Sequence, residues 1–117
     1  MSVYILYILE VNKMSVIFDR YELLEFFESE PNDANDVETV SLVYRITDID
    51  KRSLFLTIWI YDEKCCLNLK VNNKTVFTAS VKEVASICHT QGGLMINANN
   101  TMNIFMFKEP QLYVAVE

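Results

Sequence analysis

The chain has 117 residues, 51% of them apolar, with only two glycines and two prolines; that is the size of one domain, with enough Val, Ile, Leu and Phe to exclude global disorder. A formal net charge of −6, with no cluster of Lys and Arg interleaved with aromatics, argues against nucleic-acid binding. Three cysteines, an odd number in no framework spacing, argue for a reducing compartment, so a cytoplasmic protein is expected.

No linker or low-complexity segment divides the chain, and residues 1–117 are expected to form a single domain. The apolar run Val3–Leu9 (VYILYIL) is too short to span a bilayer and lacks the flanks of a signal peptide, so no membrane partner is expected. The triplet MSV occurs at Met1–Val3 and again at Met14–Val16. Residues 1–13 therefore read either as an upstream extension before a natural start at Met14, or as the site of a first strand at Val3–Leu9.

Asp19 followed by Glu22 is an Asp-x-x-Glu capping arrangement, and Leu23, Leu24 and Phe27 recur at helical spacing. This predicts an amphipathic helix from Arg20 to about Ser29, stopped by Pro31. Phe27–Glu38 reads FESEPNDANDVE, with five carboxylates and no Lys or Arg. It straddles the helix C-terminus, where Glu28 and Glu30 face the negative end of the macrodipole.

From Glu38 the pattern has period two. Leu42, Tyr44 and Ile46 alternate with Ser41, Arg45 and Thr47, and Leu54, Leu56, Ile58 and Ile60 alternate with Phe55, Thr57, Trp59 and Tyr61. Cys65, Leu67, Leu69 and Val71 in turn alternate with Cys66, Asn68 and Lys70. These are three strands, and their short connections suit antiparallel neighbours. Asn72-Asn73 accepts positive φ and predicts a hairpin into Thr75–Ala79. Leu56, Ile58 and Leu67 are expected in the core.

Ser80 and Glu83 have the spacing of a second capping box, and Val81, Val84, Ile87 and Cys88 lie on one helical stripe before Gly92-Gly93. A second helix is therefore predicted from Val81 to about Thr90. Strands at Leu94–Ala98, Met102–Phe107 and Leu112–Val116 complete an α+β fold: a mainly antiparallel sheet, a meander, with two helices packed on it. Leu54–Tyr61 is apolar on both faces, which marks a central strand with helix cover on one side and a second layer or a partner on the other. Trp59 reads as a core aromatic under the helices, with a partner-facing role as the alternative.

The residues that could carry chemistry do not assemble into a known site. Adjacent strand positions point Cys65 and Cys66 to opposite faces, and Cys88 and His89 are adjacent, so neither pair fits a zinc module or a nucleophile–base dyad. Cys88 reads as core and His89 as a surface residue at a helix end. Gln91-Gly92-Gly93 reads as a helix C-cap, because a phosphate cradle needs its glycines at a helix N-terminus. No cofactor, metal or catalytic activity is expected.

Charge is unevenly placed. Residues 19–50 carry ten acids and two bases, net −8; residues 51–117 carry five acids and seven bases, net +2; Glu10 and Lys13 cancel, giving −8 + 2 = −6. Glu22, Glu25 and Glu28 form one exposed helical row without local lysines, which asks for an external cation; a solubilising surface is the plain alternative. In size, acidity and lack of a catalytic constellation, the whole chain resembles the bacterial immunity proteins that neutralise toxin domains of contact-dependent growth inhibition and related systems. The likeness is one of general character rather than of a motif. It implies that FESEPNDANDVE mimics nucleic-acid phosphate against a cognate toxin domain, a basic nuclease. The residues expected to bind that partner are Glu25, Glu28, Glu30, Asp33, Asp36, Glu38, Trp59 and Tyr61. The competing reading is a non-enzymatic oligomeric or adaptor protein that uses its sheet edge or the Trp59 face, with the acids conferring solubility.

Overall fold

A computed structural model describes residues 15–33, 41–99 and 102–117. The Val3–Leu9 run, Asp36 and Glu38 lie outside the described residues. In chain order the elements are β1 (Ile17–Phe18), α1 (Arg20–Phe27), β2 (Asn32–Asp33), β3 (Ser41–Thr47), β4 (Arg52–Trp59), a 3-10 turn (Ile60–Asp62), β5 (Lys64–Val71), β6 (Lys74–Val81), β7 (Val84–Thr90), β8 (Gly93–Ala98), β9 (Asn103–Phe107) and β10 (Tyr113–Val116).

The described strands form two five-stranded sheets rather than one. The first runs β2-β3-β4-β5-β6 and is antiparallel throughout; the second runs β1-β7-β8-β9-β10, antiparallel except for β1, which lies parallel to β7. The meander expected from residue 41 to residue 81 is the first sheet. Its register stacks Tyr44, Leu56, Leu67 and Ala79 in one row and Arg45, Phe55, Asn68 and Thr78 in the next. Because side chains alternate across a strand, Leu54, Leu56, Ile58, Cys65 and Leu67 all face inward, each fully buried. Val84, Ile87, Leu94, Ile96, Ile104 and Met106 from the second sheet join the same hydrophobic cluster, as do Leu23, Phe26 and Phe27 from α1.

The α+β class stands, mainly antiparallel with one α-helix among the described residues, and the second helix expected at Val81–Thr90 does not form. Residues 84–90 are β7, and β6 runs on through Val81. The reason is a β-bulge: Val84 pairs with Ala98 and Ser86 with the adjacent Asn97, leaving Ala85 as the extra residue. The bulge turns Val84 and Ile87, three apart, to the same inner face, which reproduces a helical apolar spacing on a strand. Ser80 is an exposed residue of β6, and Glu83 takes φ 57 in the tight connection to β7, so their spacing caps nothing. Gly92, at φ 84, belongs to the β7–β8 turn instead of a helix C-cap.

Two turns at one end of the first sheet are tied to each other and to the second sheet. Asn72 and Asn73 adopt φ 52 and 66, the left-handed conformation their side chains tolerate, and close the β5–β6 hairpin. Lys51, at φ 63, closes the β3–β4 turn, and its carbonyl accepts the Asn72 N–H at 3.1 Å, which joins the two hairpin tips. Asp48 organises that turn further. Its Oδ1 accepts the N–H groups of Asp50 and Arg52 at 2.9 and 3.0 Å, and its Oδ2 accepts that of Leu112 at 3.2 Å, tying the first sheet to the segment leading into β10.

Candidate functional site

The acidic region begins on α1. Asp19 is its N-cap, accepting the Tyr21 N–H at 2.8 Å, which satisfies one of the donors left free at a helix start. Leu23, Phe26 and Phe27 point inward, and the Phe27 ring lies 5.2 Å from that of Tyr44 on β3. The inner face is thereby fixed, and Tyr21, Glu25 and Glu28 are left exposed. Burial lifts the Tyr44 phenol above its ordinary value; the charge of Arg20 opposes that shift and the charge of Glu30 adds to it.

The helix ends at Phe27, two residues earlier than expected, because Glu28 turns left-handed at φ 58 and donates its N–H to the Leu24 carbonyl. A non-glycine residue in that conformation costs about 1–2 kcal/mol. Lys108, just past β9, offsets part of the cost: its Nζ pairs with Glu28 Oε2 at 3.1 Å, donates to the Glu25 carbonyl at 3.4 Å and sits 5.3 Å over the Phe26 ring. A cation there also complements the helix dipole. Glu28 therefore has a lysine partner eighty positions away, contrary to the expectation from local sequence.

Glu22 is engaged as well, its Oε1 accepting the backbone N–H of His89 at 2.8 Å. His89 is exposed, and it sits on β7 rather than at a helix end. Glu22, Glu25, Phe26, His89, Gly93 and Lys108 line a shallow depression of about 160 Å³. The carboxylates left presented to solvent on this side are Glu25 and Glu30, with Glu28 shared with Lys108.

Past Pro31 the chain follows the edge of the first sheet. Ser29 Oγ reaches the Arg45 carbonyl at 3.5 Å, and β2 pairs Asn32 with Val43 and Asp33 with Leu42. Asn32 and Asp33 of the acidic stretch thus run antiparallel along the outer edge of β3. Ser41 pairs with Trp59 across β4. Trp59 is half-buried on the outer face of the first sheet, with Lys64 Nζ 4.8 Å over its ring, and is therefore not beneath a helix. Tyr61, in the 3-10 turn, is 62% exposed. Of the residues expected to bind a partner, Glu25, Glu28 and Glu30 gather at one end of β3, and Trp59 and Tyr61 lie toward the other.

The cysteines are free thiols: Cys65 is buried, and Cys66 and Cys88 are half-buried. Burial, with Cys66 beside it, pushes the Cys65 thiol up to about 12. Cys88 lies on β7 opposite Met95, half-buried instead of in the core. Among the described residues no group of three or more His, Cys, Asp or Glu is placed to hold a metal ion, and no helix is long and apolar enough to cross a membrane.

No protein-family model matches the chain, and no curated protein matches its sequence. Its fold matches a chain of the solved contact-dependent growth inhibition toxin–immunity protein complex from Klebsiella pneumoniae 342. The TM-score is 0.76 at 16% identity, over 89% of this chain and 97% of that one. The likeness shown is one of fold.

Proposed function

We propose that this protein is an immunity protein that binds and neutralises a cognate toxin domain, a basic nuclease, through the acidic surface at the C-terminal end of α1 and along the β3 edge. The observation that carries the reading is the fold shared with a chain of a toxin–immunity protein complex. The concentration of carboxylates where α1 meets the first sheet supports the choice of surface. Glu25 and Glu30 steer the partner electrostatically, joined by Asp33, Asp36 and Glu38 of the same stretch, and Trp59 and Tyr61 offer aromatic contact at the far end of the edge. Inhibition needs no chemistry from this chain, only occupancy of a cleft that otherwise holds a polyanion. Such charges act mainly through association rate.

The reading requires a toxin domain encoded beside this chain's own gene; the test co-expresses and co-purifies that domain with this chain and then measures association rates over a salt series. Replacing Glu25, Glu28, Glu30, Asp33 and Asp36 by Gln or Asn should slow association about tenfold or more and flatten its salt dependence. Failure to co-purify would refute the immunity reading. Complex formation with unchanged rates and salt slope would keep the function and move the binding surface elsewhere.

A further inference from the structure

We propose that the outer face of the first sheet, centred on Arg45, Phe55 and Lys70, is a separate docking surface for a carboxylate-rich segment of a protein partner. This holds whether or not the acidic edge meets a toxin. Strands β3, β4, β5 and β6 contain no Asp or Glu, although the protein as a whole carries a net charge of −6. Their register places Arg45, Lys64 and Lys70 on the outer face, together with Phe55 and Trp59. Lys51 joins them from the β3–β4 turn.

The cations are organised as well as present. Arg45 Cζ and Lys70 Nζ lie 5.9 and 5.1 Å from the Phe55 ring centroid, from strands on either side of it. Lying against an aromatic face restrains both long side chains, so less conformational entropy remains to be lost when an anion binds them. Beside them Arg45, Thr47, Lys51, Ser53, Asn72 and Asn73 border a pocket of about 270 Å³ that also includes Phe55. Its lining is cross-linked: the Asn72 N–H is bonded to the Lys51 carbonyl and the Thr47 and Ser53 hydroxyls lie 2.8 Å apart.

These features select a carboxylate over a nucleic acid. A guanidinium fork with flanking hydroxyl and amide donors fits carboxylate and phosphate oxygens alike, so the choice turns on the bases. Stacking of a base, on which single-stranded nucleic acids depend, needs a free aromatic face, whereas Phe55 already carries Arg45 and Lys70, and Trp59 carries Lys64.

The experiment is fluorescence anisotropy of a labelled oligo-glutamate peptide titrated with the full chain at low and at physiological salt. A single-stranded oligothymidylate of the same charge serves as the competing probe. The net charge alone predicts repulsion of both. The expected result is saturable binding of oligo-glutamate at low salt, weakened by added salt, and weakened at least about tenfold by Arg45→Gln with Lys70→Gln, since charge-assisted hydrogen bonds are lost. Circular dichroism checks that the variant folds; if it does not, Lys51→Gln, on an exposed turn, must weaken binding in its place. No binding by the wild type, undiminished binding by the folded variant, or tighter binding of the oligothymidylate would each overturn the proposal.

Discussion

Replacing Asp48 removes a junction between the two sheets, and its cost can be worked from the three N–H groups its carboxylate accepts, those of Asp50, Arg52 and Leu112. Hydrogen bonds to a charged acceptor are worth about 1.5–3 kcal/mol each where water is excluded. Asp48 is only half-buried, and water can serve part of the exposed donors, so Asp48→Ala should cost about 1–3 kcal/mol in total. That is a large share of the roughly 5–15 kcal/mol expected for a domain of this kind. Asp48→Asn should recover part of the loss, because its amide oxygen still accepts while its nitrogen cannot serve the second side. Urea denaturation at neutral pH measures both. The pH dependence is a separate test. Partial desolvation would raise the Asp48 pKa, but the backbone donors of Arg52, Leu112 and Asp50, with the Arg52 charge, outweigh it and hold the carboxyl below its ordinary 3.8. A carboxylate depressed on folding contributes stability in full above its unfolded pKa and loses it as pH falls through the folded value. The gap between wild type and Asp48→Ala should therefore stay constant above about pH 4 and narrow below it. A variant indistinguishable from wild type at neutral pH, or a gap that widens in acid, would refute the assignment.

Leu56→Ala, in the centre of the first sheet with no exposed surface, should lower the urea midpoint with unchanged m by about 2–5 kcal/mol of stability; a neutral result would mean the strand faces the other way. Gly93→Ala should destabilise the β8–β9 pairing, because a Cβ there would collide with the backbone carbonyl of Met106; overpacking of this kind costs about 1–3 kcal/mol, and a wild-type melting temperature would contradict it. Cys65 should resist a thiol reagent in the folded protein and react on denaturation, since burial pushes its thiol up to about 12. A thiol raised on folding contributes stability fully below the ordinary 9.0 and loses it as pH rises toward the folded value, so alkaline unfolding should accompany its labelling; mass-spectrometric modification of Cys65 at neutral pH without unfolding would oppose this.

The parts of the fold legible in the sequence were those set by local rules. Alternation placed Leu54, Leu56 and Ile58 on one face, Asn72-Asn73 marked a hairpin through its tolerance of positive φ, and Asp19 announced a helix start. Local patterns mislead where they have two physical realisations. Val84 and Ile87 are three apart whether a helix or a bulged strand carries them, and nothing local reveals that Ala85 is the extra residue. Alternation also says which side of a strand is buried without saying which sheet the strand joins, so the partition into two sheets at Lys82-Glu83 was invisible. Glu28 looked unpartnered for the same reason, since Lys108 reaches it only once β9 lies beside α1.

The charge asymmetry does follow from sequence once the strand order is known. The acidic part of the chain, residues 19–50, ends in the β3–β4 turn, and the part with net charge +2 begins at Lys51. An antiparallel hairpin folds the second part back against the first, so the boundary between them becomes a line on the surface. Glu25, Glu28 and Glu30, on α1 and in the segment leading to β2, supply an acidic region beside β3, and β4 and β5, with Arg45 from β3, supply a cationic face. Neighbouring strands are about 4.8 Å apart, inside the roughly 8 Å screening length at physiological salt, so charges on strands adjoining the line act on one another, while charges two or more strands apart are largely screened. A partner with one uniform charge could be attracted to either region, but would be repelled by the other as it tilted across the boundary. A partner with the complementary division would be held in one orientation, because rotation by half a turn sets like charges together on both sides.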